Sequence, residues 1–174
     1  MKNLYILLFI FITQLSYGQT KKDTNNIFTG DTTIAIIHYN SLYEQYKTYI
    51  FGKSKEAILT TSEIAEIEVI LNKCIDEYNT EKEKELEKQI KENKAIDSDR
   101  EFSIIKLKKY KRQYIAIIND KGEKEVYLNC FCNSFHPDWK KDLVMVLDGG
   151  KCYFNLRINL KSKKYYQFSV NGDA

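Results

Sequence analysis

The 174-residue chain has one proline, seven glycines and two histidines. So little proline, beside abundant Tyr, Phe and Ile, argues against long disordered linkers beyond about residue 31. Two histidines leave little material for imidazole chemistry. No phosphate-binding Walker loop, G-x-G-x-x-G, G-x-S-x-G or H-E-x-x-H pattern occurs, so the common nucleotide, hydrolase and zinc-peptidase signatures are missing. No N-x-Ser/Thr sequon occurs, and no internal repeat is visible. Twenty-seven basic side chains against 24 acidic ones leave a formal net charge of +3, too small an excess to argue for a polyanionic partner. The expectation is therefore no nucleic-acid binding, and nothing in the pattern asks for a metal or a cofactor.

Long hydrophobic runs are absent as well. The apolar stretch Leu4–Ile12 holds nine residues, well under the roughly 20 that span a bilayer as a helix. It follows Met1-Lys2-Asn3 and leads into Thr13-Gln14-Leu15-Ser16-Tyr17-Gly18-Gln19. A basic start, a short apolar core and a small-residue exit are the three parts of a secretory signal peptide. Ser16 and Gly18 stand at the −3 and −1 positions for cleavage before Gln19. The alternative is a buried apolar helix of the folded part. With no cysteine near the exit, acylation as a lipoprotein is not expected. The sequence thus divides into residues 1–18 as signal peptide, 19–30 as a flexible polar leader and 31–174 as one α+β domain. That domain is expected in the periplasm or outside the cell, with no membrane span after cleavage.

Within it, Thr32–Tyr39 is β-branched and apolar and reads as a first strand. Residues 40–58 are ambiguous. Thr60 and Glu63 form a capping box, with Leu59 and Ile64 placed as a hydrophobic staple. Apolar residues then recur at Ile64, Ile67, Leu71, Cys74 and Tyr78, which predicts a helix over about 61–79 with one face on the core. The charged run Glu81–Lys88 reads as solvated helix, with Asn79-Thr80 a place for a break or kink. From residue 102 the period changes to two. Lys111–Ile118 and Glu123–Phe131 flank the turn Asn119-Asp120-Lys121-Gly122, and Leu143–Leu147 and Cys152–Leu160 flank Asp148-Gly149-Gly150-Lys151. Lys164–Val170 closes the chain. The expected architecture is one long helix on an antiparallel meander of about five strands, cystatin-like or NTF2-like in outline.

Four cysteines, Cys74, Cys130, Cys132 and Cys152, survive signal cleavage, and an even count in an exported domain points to disulfides. By alternation all four face one core. Cys130 with Cys132 is the poor pairing, because same-face neighbours on a strand lie about 6.5–7 Å apart while a disulfide wants Cβ atoms nearer about 3.8 Å. Cys74 then pairs with Cys130 or Cys132, and Cys152 takes the other. A four-cysteine zinc site is the competing assignment.

The loop Asn133-Ser134-Phe135-His136-Pro137-Asp138-Trp139 is the densest in reactive and aromatic side chains. Phe131, Phe135, His136, Asp138 and Trp139 either anchor it or offer a binding surface, and His136 with Asp138 would be the acid–base pair of a small hydrolase. Basic stretches at Lys106–Arg112 and Lys161–Tyr166 read as solvated strand edges. The segments Tyr110–Ile115, Gly122–Cys132, Trp139, Asp148–Phe154 and Val170–Gly172, with Leu71–Asn79, resemble a family of small exported proteins of Gram-negative bacteria. The resemblance implies export and a shared fold, and transfers no activity. The expected function is a non-catalytic exported domain that binds a protein or ligand, or is structural, in the envelope or outside the cell. The alternative is the hydrolase-like enzyme around His136 and Asp138.

Overall fold

The computed structural model describes residues 31–92, 104–132 and 137–172. The signal sequence, the leader, Phe135 and His136 lie outside them. Six strands, β1 (Ile34–Ile36), β2 (Lys55–Glu56), β3 (Lys111–Ile118), β4 (Lys124–Phe131), β5 (Tyr153–Asn159) and β6 (Lys164–Val170), form one sheet. Its order is β1-β3-β4-β5-β6, with β2 also pairing β3. Consecutive strands from β3 to β6 are antiparallel, with short turns between β3 and β4 and between β5 and β6 and the longer segment 132–152 between β4 and β5. Ile34–Ile36 is the core of the expected first strand. It lies parallel to β3, however, so it stands outside the meander.

Helix α2 (Thr61–Lys91) follows a short α1 (Glu44–Tyr46). Both halves of its capping box form: Glu63 N donates to Thr60 Oγ1 at 3.2 Å, and Thr60 N donates to Glu63 Oε2 at 2.8 Å. The helix runs unbroken through Asn79-Thr80. The Asn79 amide makes a two-way pair with the backbone of Ile105, at 2.9 and 2.8 Å, and Thr80 Oγ1 donates to Asp76 O within the helix.

Alternation sends Tyr114, Ala116, Val126, Leu128, Cys130, Phe154, Leu156 and Ile158 toward α2, where Ile64, Ile67, Leu71 and Cys74 meet them. The opposite face of the sheet is covered too. Ile115, Ile117, Tyr127 and Phe131 pack there against Tyr39, Leu42, Phe51, Trp139, Leu143 and Val144. Residues 40–58 supply part of this cover through a 3₁₀ turn, α1 and a π-helical turn at Lys47–Phe51.

The other part corrects an expected strand. Leu143–Leu147 pairs with no strand. Its backbone is held by side chains: Val144 N donates to Gln113 Oε1 at 3.0 Å, and Asn129 Nδ2 donates to Val144 O at 2.7 Å. Leu143 and Val144 are buried, whereas Leu147 is 92 % exposed.

The cysteines meet expectation in part, since Cys152 bonds one of its two allowed partners but Cys74 bonds neither of its own. A single disulfide joins Cys132 to Cys152, while Cys74 and Cys130 are buried and unbonded. β4 ends at Phe131, so Cys132 has left the strand and its alternation, and Cys152 sits in a 3₁₀ turn before β5. Cys132 is exposed, so the bond fastens a sheet margin and the four cysteines do not share one core. Two of the four thiols are thus removed from any zinc site. Among the described residues no group of His, Cys, Asp or Glu is arranged to hold a metal ion, and no helix is long and apolar enough to cross a membrane.

Candidate functional site

Three breaks in regular structure converge at one end of the sheet. The π-helical turn runs into Gly52, whose φ of 57° and ψ of −133° suit only glycine. The β3–β4 turn is held by Asn119, whose Oδ1 accepts from Lys121 N at 3.0 Å and Glu123 N at 2.9 Å. Across the sheet, β5 and β6 slip register between Asn155 and Arg157, and Gln167 on β6 takes a left-handed φ of 51°. Bulges and strained non-glycine residues are over-represented beside binding and catalytic sites. Between the three lies an open cleft of about 450 Å³, lined among others by Phe51, Lys53, Asn119, Glu125, Arg157 and Tyr166.

Arg157 is placed by aromatic rings. Its guanidinium lies 5.4 Å from the Phe51 ring centroid and 5.5 Å from that of Tyr127, and Nη2 donates to Ile50 O. It makes no ion pair among the described residues. Glu125 is buried on the same wall and accepts from Asn119 Nδ2 at 2.7 Å. Burial, and then Glu125, hold the Tyr166 phenol above the usual tyrosine range. The Ser54 hydroxyl donates to Phe51 O at 2.6 Å, which turns it into a turn-stabilising group. The cleft therefore offers a fixed cation, a hydrogen-bonded carboxylate and an apolar wall.

A second polar cluster sits under the N-terminal half of α2. Arg112, buried, donates from Nη1 to Glu68 Oε2 at 2.6 Å and from Nη2 to Asp31 Oδ2 at 2.9 Å and Thr33 Oγ1 at 2.7 Å. The Tyr114 hydroxyl donates to Glu68 Oε1. Burial raises the Glu68 carboxyl above its usual range, the Arg112 charge opposes this, and the Asp31 charge adds to it. This network bolts helix, sheet and β1 together.

The residues singled out in the sequence fall elsewhere. Phe131 and Trp139 are buried against each other edge to face at 5.8 Å, so they anchor the covering segment and present no surface. Asp138 is exposed, and its carbonyl accepts from the amides of Lys141 and Asp142. His38 Nδ1 lies 2.7 Å from Glu56 Oε1, joining the end of β1 to β2. In the basic stretches, Lys161 pairs with Glu123 at 3.0 Å and Lys163 with Glu66 at 2.6 Å. Of the cleft residues, the sequence marks Tyr166, as the end of a basic stretch, and the Asn119–Gly122 turn, and joins neither to a site. Compared with known proteins, the chain matches no family model, no curated protein and no solved structure, so the cleft and the fold are what its function is argued from.

Proposed function

We propose that the chain is a non-catalytic exported binding domain whose ligand is a small molecule seated in the cleft between Gly52, the Asn119–Gly122 turn and the Arg157–Gln167 bulge. Export is supported by the three-part N-terminal pattern and by a disulfide, a bond that persists in oxidising compartments. The observation that carries the binding assignment is the convergence of the three irregular segments on one cleft. Regular strands would be more stable there, and strained backbone beside a cleft is over-represented at functional sites. Binding is favoured over catalysis because the cleft's one hydroxyl beside the π-helical turn and its buried carboxyl are already held: Ser54 donates to Phe51 O, and Glu125 accepts from Asn119. Crystals soaked in mixtures of small polar fragments test this. Fragment density against Phe51 and Arg157 is expected. Density only at other surfaces would contradict the assignment.

A further inference from the structure

We infer that the cleft selects a ligand bearing a single carboxylate, bound by the guanidinium of Arg157, with the rest of the ligand in the open cleft beside Tyr166. The inference deepens the proposed binding function and rests on it. Arg157 gives one N–H to Ile50 O, and its remaining donors are not buried without partners. The two flanking rings hold the guanidinium without neutralising it, which preserves both its charge and its remaining donors for a ligand. The buried Glu125 does not neutralise it either: it accepts from Asn119 and makes no ion pair among the described residues. Lys53 and Lys121 are exposed on the rim and add a positive field at the entrance. Asp120 on the same rim, with Glu125 within, disfavours a doubly charged group such as a phosphate monoester.

Four probes of one size separate the possibilities: benzoate, phenyl phosphate, benzamide and benzylamine, each titrated into the ¹⁵N-labelled protein. Benzoate is expected to move the amides of Gly52–Ser54, Asn119–Lys121 and Gln167 saturably. Benzamide and benzylamine should bind about tenfold more weakly or worse, the scale of one lost charge-assisted hydrogen bond. In Arg157→Gln, shown folded by its dispersed amide spectrum, benzoate binding should fall about tenfold and benzoate should lose its advantage over benzamide. If that variant does not fold, the four probes on the unsubstituted protein decide alone. Phenyl phosphate, benzamide or benzylamine binding as tightly as benzoate would overturn the carboxylate inference and leave the cleft a binding site. No probe moving any cleft amide would overturn both.

Discussion

Gln113 and Asn129 stand directly opposite each other on β3 and β4, and Asn129 Nδ2 donates to Gln113 Oε1 at 2.9 Å in the buried outer face of the sheet. Gln113 Nε2 also donates to the carbonyls of Trp139, at 2.5 Å, and Asp142, at 2.7 Å. Two amides thus do the work of a neighbouring strand for residues 139–144. Substituting Gln113→Leu leaves three backbone groups without partners and should cost about 2–3 kcal/mol. Trp139 is the only tryptophan, so its emission should shift to the red in the folded variant as the segment lifts. Unchanged emission and stability would show that the segment is held by its apolar contacts alone.

The Arg112–Glu68 pair gives a pH-dependent prediction. Removing one partner of a buried pair strands the other charge, at about 3 kcal/mol. Arg112→Leu should therefore be strongly destabilised at pH 7. With its raised carboxyl, Glu68 binds a proton more readily folded than unfolded, so its contribution is fully present below the unfolded pKa and is lost as pH rises through the folded one. Loss of Arg112 raises that folded pKa further. The gap between variant and parent should narrow as pH falls from 7 toward about 4.5, near the unperturbed glutamate value. Urea melts at several pH values read this directly. A gap that is constant with pH would contradict it.

The cysteines should divide two and two. Peptide mapping without reductant should find the Cys132–Cys152 link, with Cys74 and Cys130 alkylated only in denaturant. Burial first, then the Glu77 charge, push the Cys74 thiol up to about 12, and burial pushes Cys130 up as well, so neither offers a thiolate to reagents. The bond closes a loop with a sequence separation of 20. In the chain-entropy model that contributes about 3 kcal/mol, so reduction should lower Tm by roughly 5–10 °C. A second bond between Cys74 and Cys130 would contradict the unbonded pair.

Much of the fold was legible because it follows strict periodicity. The ends of β3 and β6 and the start of α2 coincide with those expected from alternation and from the Thr60–Glu63 capping box. What escaped depends on partners distant in sequence. Gln113 and Asn129 look like solvent-facing members of an alternating strand, yet both are buried, because the segment they hold arrives from residues 139–144. Leu143–Leu147 has the composition of a strand, but its hydrogen bonds go to those two side chains and to Asn171. Alternation carried past Phe131 assigned Cys132 to the core face, although the strand ends one residue earlier. The cleft was illegible for the same reason: Gly52, Asn119, Arg157 and Gln167 meet only in the folded sheet.

Two residues in left-handed backbone separate strain from use. Lys163 has φ 56° and Gln167 has φ 51°, and only Gln167 lines the cleft. Glycine should relieve about 1 kcal/mol at either position. Lys163→Gly also loses an exposed ion pair with Glu66, which is worth little. Both variants should therefore melt at or above the parent temperature. Only Gln167→Gly should weaken fragment binding in the cleft. Equal effects of the two substitutions on binding would mean that Gln167 serves the bulge geometry alone.

The claim that the three irregular segments exist to form one binding site is tested most directly by amide-shift mapping of the ¹⁵N-labelled protein against a library of small polar fragments. The account predicts that hits concentrate their shifts on Gly52–Ser54, Asn119–Lys121 and Tyr166–Gln167, and that hits compete with one another. Saturable shifts confined to any other face, with these amides unmoved by the whole library, would contradict it.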